Sequence, residues 1–103
     1  MKRYKLIVMS NAKPGRDDEF NRWYDMQHIP DLMKVPGFKS ADRFRIAASK
    51  SSWQYLAIYE IETDDMAGVH AEVQRRTGTP LMPISDAFDA GNMFVASFEP
   101  LNG

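Results

Sequence analysis

From Phe38 to Glu62 the chain reads FKSADRFRIAASKSSWQYLAIYEIE, and this stretch decides the fold. Its first part alternates: Phe38, Ser40, Asp42, Phe44 and Ile46 share one face, and Lys39, Ala41, Arg43, Arg45 and Ala47 share the other. Ser49-Lys50-Ser51-Ser52 is a polar turn. Trp53 to Glu62 then alternates again, with Trp53, Tyr55, Ala57, Tyr59 and Ile61 set against Gln54, Leu56, Ile58, Glu60 and Glu62. A period of two belongs to a strand, whose successive side chains point to opposite faces. The two runs are therefore expected to pair as a hairpin. The second is apolar on both faces at its middle, as a strand covered on both sides must be.

Working outward, Arg3 to Met9 is a β-branched and aromatic run ended by the loop Ser10-Asn11-Ala12-Lys13-Pro14-Gly15. Asp17, Asp18 and Glu19 suit the first turn of a helix, whose amino end carries partial positive charge. Phe20, Trp23 and Tyr24 keep the spacing of one helical face. Pro30 lacks an N–H and restricts Ile29, so a helix to about His28 is expected, then a kink or restart over Asp31 to Val35, ended by Pro36-Gly37. Downstream of the hairpin, Thr63 or Asp64 is expected to cap a second helix. Met66, Val69 and Val73 form its buried stripe, Arg75-Arg76 lie near its end, and Gly78-Thr79-Pro80 stops it. Leu81 to Asp89 reads as loop or a short helical turn, and about Asn92 to Glu99 as the last strand.

The order is β-α-β-β-α-β, an α+β, ferredoxin-like arrangement with a four-stranded antiparallel sheet and both helices on one face. One such domain is expected to span residues 1–103. Helices cover only one side of the sheet, yet the strands keep large apolar side chains on both. The uncovered side is expected to meet the sheet of a second copy, giving a homodimer built as a dimeric α-β barrel.

Composition fits a self-associating small-molecule protein. Thirteen basic and fourteen acidic residues leave a net charge of −1, which argues against nucleic acid or an anionic membrane as partner. There is no cysteine, so no disulfide and no thiolate metal site is expected. Met1 to Lys5 is followed by only four apolar residues before Ser10, too few for a signal peptide, and no run approaches a membrane span. A cytoplasmic location is expected. The two histidines are far apart with no metal-ligand spacing, and no glycine-rich phosphate loop or serine nucleophile motif is present.

Chemistry concentrates in Trp23-Tyr24-Asp25-Met26-Gln27-His28-Ile29-Pro30-Asp31. Tyr24 and His28, four apart, are neighbours on a helix. His28 titrates near neutrality in its ordinary state, as a general base needs, and Asp25 or Asp31 is near enough to orient the imidazole and favour its charged form. The competing reading has His28 ending the broken helix, with Trp23 and Tyr24 in the core. Arg43 and Arg45 suit a substrate carboxylate, or else solvated or cross-dimer pairs with Glu60 or Glu62. Trp53, Tyr55 and Tyr59 suit an aromatic pocket or, as preferred for most of them, the dimer interface. His70 reads first as a boundary residue on the second helix with one nitrogen in water, and otherwise as a second pocket histidine or a haem ligand.

Phe20-Asn21-Arg22-Trp23-Tyr24-Asp25, His28-Ile29-Pro30-Asp31-Leu32 and Val35-Pro36-Gly37-Phe38 together resemble the signature of EthD-like and related small dimeric α-β barrel proteins. That superfamily includes polyketide cyclases, muconolactone-type isomerases, aldoxime dehydratases, and haem-degrading and quinone-forming monooxygenases. The resemblance implies a homodimer with one small-molecule cavity per subunit between helices and sheet. It does not imply a particular reaction. The acid–base roles of cofactor-free members fall here on His28 and Tyr24, with Asp31 in support. Haem-degrading members pair a histidine of the second helix with an asparagine after the first strand and a tryptophan, which puts His70, Asn11 and Trp53 forward.

The reading preferred at this level is a cofactor-independent enzyme of isomerase, cyclase or lyase type acting on a small aromatic or cyclic oxygenated metabolite. His28, Tyr24 and Asp31 are its catalytic residues, and Trp23, Arg43, Tyr59 and Phe94 contact the substrate. The alternatives are a non-catalytic small-molecule-binding or stress-associated dimer, and a cofactor-free or haem-degrading monooxygenase.

Overall fold

Four strands and a helical layer make up the computed structural model, which describes residues 1–102. The strands are β1 (Lys2–Ser10), β2 (Phe38–Arg45), β3 (Tyr55–Thr63) and β4 (Phe94–Phe98). Between β1 and β2, α1 (Asp17–Trp23), a π turn (Tyr24–His28) and α2 (Ile29–Met33) run on as one rod, and α3 (Met66–Arg76) joins β3 to the segment before β4. The sheet order is β2-β3-β1-β4 with every neighbouring pair antiparallel, the expected ferredoxin-like topology. Among the described residues no helix is long and apolar enough to cross a membrane.

The first helix corrects the expectation of a break at Pro30. The backbone stays helical through His28 and Ile29, and the Ile29 N–H donates to the Tyr24 carbonyl five residues back. Widening one turn from α to π relieves the clash that a proline ring makes with the carbonyl of the preceding turn. Pro30 then falls in the first turn of α2, where a missing N–H costs least. The cap of α3 is also one residue later than expected. Asp65 Oδ1 accepts from the Gly68 N–H at 2.9 Å, while Thr63 Oγ1 accepts from the Asp65 N–H at 3.0 Å. A side chain at Gly68 would collide with the Asp65 carboxylate, so glycine is what that cap tolerates.

Strand register sorts the side chains into a covered and an open face. Leu6, Tyr59, Ala57 and Ile61 point toward the helices and are buried. A bulge between Phe38 and Ser40 places Phe38 opposite Ile61 and Ser40 opposite Glu60. Phe38 therefore joins the covered face with Ala41, Arg43 and Arg45, instead of sharing the face of Ser40, Asp42 and Phe44 that strict alternation predicts. Trp53 lies outside β3 and packs at a tilt on Phe94 of the open side, centroids 5.9 Å apart, so it does not share a face with Tyr55 and Tyr59.

Phe20, Tyr59, Ile61 and Met82 are fully buried at the centre of the core. Met82 and Ala87 come from the segment between α3 and β4, which sequence patterning assigned to loop. That segment is tied in by Met82 N–H to Thr79 O and Lys13 N–H to Ala87 O. On the open face, Phe44, Phe94 and Phe98 remain exposed beside half-buried Ile7, Met9, Leu56 and Ile58.

Candidate active site

A cavity of about 310 Å³ lies between the helical layer and the covered face of the sheet. Leu6 and Val8 of β1, Tyr59 of β3 and Val95 of β4 form its floor. The rod contributes Trp23, Tyr24, His28 and Leu32, α3 contributes Met66, Val69, His70 and Val73, and Ile84 and Phe88 come from the segment before β4. Met93 and Val95, 40% and 45% exposed, mark an opening at the β4 edge. No Asp, Glu, Lys or Arg lines the cavity, so a charged ligand would meet no counterion there.

The π turn aims His28. Its ring stacks on Trp23 at 4.7 Å and stands edge-on to Tyr24 at 5.0 Å. Trp23 is fixed in turn by donating from Nε1 to the Pro83 carbonyl at 3.1 Å. Burial holds the His28 imidazole down at about 4; Asp31 pulls it up, and Arg43 pushes it further down. At neutral pH the ring is uncharged. Nδ1 is sealed from solvent without a hydrogen-bond partner, which leaves Nε2 as the nitrogen able to meet a ligand.

This corrects the expected support from carboxylates. Asp31 is buried, but its Oδ2 accepts from Gln27 Nε2 at 2.7 Å, and Asp25 Oδ1 accepts from Arg43 at 2.9 Å. Neither carboxylate hydrogen-bonds to the imidazole, and desolvation outweighs the Asp31 charge. Asp31 is not part of the cavity wall.

Tyr24 and Tyr59 face each other, the Tyr59 hydroxyl donating to the Tyr24 oxygen at 3.1 Å. Burial raises both phenols above their ordinary range, so both keep their protons and the Tyr24 proton is free to donate. The cavity and the core thus claim Tyr59, and Tyr55 lies on the same covered face with its hydroxyl donating to Asp17 at 2.6 Å. Both tyrosines thus lie on the helix-covered face, not on the open face that the expected sheet-to-sheet interface would use.

Arg43 and Phe94 lie outside the cavity. Arg43 Nη1 donates to Asp25 and Nη2 donates to Asn21 Oδ1 at 2.8 Å, so its fork is occupied and does not clamp a substrate carboxylate. Glu60 and Glu62, its expected partners, face the opposite side of the sheet. Phe94 pairs with Met9 on the open face, because Val95 and Ser97 are the residues of β4 that turn inward. Of the candidates from sequence, the cavity brings together Trp23, Tyr24, His28 and Tyr59.

Sequence reasoning undervalued His70. It is half-buried and lines the cavity, with Nε2 at 2.6 Å from Ser97 Oγ. Its helix spacing from Val69 and Val73 and the inward phase of Val95 and Ser97 carried that signal. Asn11 does not join it, since its side chain bridges Ser52 O and the Gln54 N–H, both at 2.8 Å, across the β2–β3 connection. Trp53 is likewise elsewhere, and the tryptophan of the cavity is Trp23. Among the described residues no three His, Asp or Glu side chains gather as a metal site.

No protein-family model matches the sequence, and no curated protein matches it significantly. Solved structures do share its architecture. A candidate monooxygenase from Shewanella loihica PV-4 superposes with a TM-score of 0.69 at 10% identity, over 99% of this chain and 97% of its own. The ethyl tert-butyl ether degradation (EthD) family protein of Bacillus halodurans gives 0.57 at 17% identity, over 96% and 99%. The shared fold is ferredoxin-like. A third neighbour is MhuD of Mycobacterium tuberculosis, a haem degrader with two haems in its active site, at TM-score 0.66 and 14% identity over 97% of each chain. At such identities the likeness is one of fold.

The neighbour that holds haem makes that group a fair test of this cavity. A haem needs a free axial ligand and partners for its two carboxylates. A free imidazole nitrogen is present at His28 Nε2, the Nε2 of His70 being engaged by Ser97, but the walls carry no Lys or Arg to pair with the two carboxylates. The donor set does not fit a haem.

Proposed function

We propose that the cavity takes a small, uncharged, ring-shaped molecule bearing an oxygen substituent and carries out acid–base chemistry on it. The observation that carries this reading is a neutral imidazole, Nδ1 sealed and Nε2 available, set beside a protonated tyrosine pair in an otherwise apolar chamber. An imidazolium is costly at this site, which counts against His28 as a base. A buried nitrogen without a partner is better left as a bare acceptor than as an orphaned N–H, so the proton of neutral His28 belongs on Nε2.

His28 Nε2 and the Tyr24 hydroxyl then donate together to a ligand oxygen on which negative charge develops, as in an enolate or phenolate. His70, donating from Nε2 to Ser97 Oγ on another wall, takes the proton from the ligand on its other nitrogen, Nδ1, and returns it at a second position. The active unit is a homodimer joined through the open sheet face. The experiment is the pair His28→Gln and His28→Ala, assayed by deuterium exchange into an enolisable cyclic ketone in heavy water. A side-chain amide can donate but cannot titrate, so His28→Gln is expected to retain most of the exchange and His28→Ala to lose 10²-fold or more, on the order of one lost oxyanion donor. Equal loss in both variants restores His28 as the base. No exchange above background in the native protein, with the ketone still raising the melting temperature, makes the chain a binding protein.

The monooxygenase name of one neighbour favours a second reading, oxygenation of an electron-rich ring that itself supplies the electrons reducing the second oxygen atom to water. The same donors would stabilise the phenolate that reacts with oxygen. Oxygen uptake with a hydroquinone, abolished in His28→Ala, separates it from proton transfer alone.

A further inference from the structure

Behind the Tyr24 ring, away from the cavity, lies a cation that takes no part in lining it. The Arg43 guanidinium carbon is 4.2 Å from the Tyr24 ring centroid, 5.6 Å from that of Phe20 and 5.8 Å from that of Tyr55. The side chain is only 13% exposed, and its Nε is sealed without a partner. Its register partner on β3 is Ala57, small enough to leave room for the guanidinium. Nη1 and Nη2 hold Asp25 and Asn21, which flank Tyr24 on the rod. Arg43 therefore grips the helix where its pitch changes, at the residue whose ring forms the cavity wall. A cation desolvated against an aromatic face is held strongly, and it favours negative charge developing on that ring's oxygen.

We propose that Arg43 is a positioning residue for the cavity, acting through the Tyr24 ring. It fixes the π turn against β2 and polarises the Tyr24–Tyr59 hydroxyl pair into stronger hydrogen-bond donors, without touching the ligand. Its opposition to the burial of both phenols runs the same way. Asp25 partly neutralises Arg43 from the solvent side, where it is 60% exposed. Removing either member of the pair should therefore move the cavity in opposite directions. This inference rests on the oxygen-binding reading above.

The probe is 4-nitrophenol, whose absorbance distinguishes bound phenol from bound phenolate. In Arg43→Met the ratio of bound nitrophenolate to nitrophenol should fall about tenfold at fixed pH, the scale of a desolvated cation–π contact. Arg43→Lys should recover part of it, and Asp25→Asn should raise it above the native value. A ratio unchanged in both Arg43→Met and Asp25→Asn, with the native fold by circular dichroism, overturns the proposal even if affinity drops. Failure of the native protein to bind the probe overturns the reading of the cavity instead. The proposal then stands or falls on the ligand-free NMR titration of His28, which shares the cavity with Tyr24 and Leu32 of the rod, Tyr59 of β3 and His70 of α3 and feels the charges of Asp31 and Arg43. Arg43→Met should raise its midpoint from about 4, and no change sinks the idea.

Discussion

A histidine kept neutral by burial makes stability depend on acid. The His28 imidazole is held at about 4 in the folded chain against 6.5 when free. Between those values the unfolded chain binds the proton and the folded one resists it, so stability rises with pH across the window. The contribution is complete above about pH 6.5 and is lost as pH falls to about 4. Its full size is up to about 3 kcal/mol. His28→Leu removes the titration, so urea midpoints of native and variant protein should converge by several tenths molar or more between pH 7 and pH 4.5. Parallel shifts in the two proteins would refute the buried neutral ring. A second residue-scale test is Tyr59→Phe, which leaves the Tyr24 hydroxyl without its buried partner. It should cost about 1–3 kcal/mol in chemical denaturation, and no measurable loss would mean the pair is not formed.

At the scale of elements, the glycine before β2 sets how the rod enters the sheet. Gly37 has φ +106°, and a Cβ there would sit 3.3 Å from the Glu62 carbonyl oxygen. Its own carbonyl accepts the Glu62 N–H at 2.9 Å, so the close approach fixes the register of β2 on β3. Gly37→Ala should lose about 1–3 kcal/mol by thermal or urea unfolding, and a neutral effect would show that the turn adapts. The Pro36-Gly37 signal and the alternation after it made this junction readable from sequence. The bulge at Phe38 was not readable, because one extra residue inverts the facing of a strand without leaving a mark on its composition. The π turn was hidden in the same way: Pro30 announces a disturbance, but whether the rod breaks or widens depends on what its far end packs against. Leu32 and Val35, both buried, hold the continuation in place. The core role of Met82 and Ala87 escaped because two prolines and a short apolar run look like any surface connection until the chain after α3 and the loop after β1 are seen to bond to them. Trp23, Tyr24 and His28 were legible because they lie on one helical stretch. Tyr59 and His70 reach the cavity through pairings between distant segments, and one sequence does not display those.

On the scale of the molecule, the open face is the largest feature that one chain leaves unused. Ile7 pairs with Ile58, Met9 with Leu56 and Leu56 with Phe44, giving a continuous apolar surface over three strands. Phe44 and Phe98 are 50% and 52% exposed on it. A patch of that character on a small protein marks a contact surface, and a sheet closing on its own copy is the symmetric solution. Ile58 lies near the centre, opposite Asp42 on β2. A lysine at 58 would therefore find a carboxylate across the strands and be tolerated by a single chain, whereas at the middle of a sheet-on-sheet contact it would be buried beside apolar neighbours at a cost of several kcal/mol. Sedimentation of the native protein should give twice the 11.8 kDa chain mass, and Ile58→Lys should give one chain mass with unchanged circular dichroism. A native monomer at micromolar concentration would refute the dimer, and a variant that remains dimeric would place the contact elsewhere. The cavity lies on the other side of the sheet, so the monomeric variant should still bind 4-nitrophenol. Loss of binding together with the dimer would mean that the second copy helps to hold the cavity shut through β4, whose edge forms its mouth.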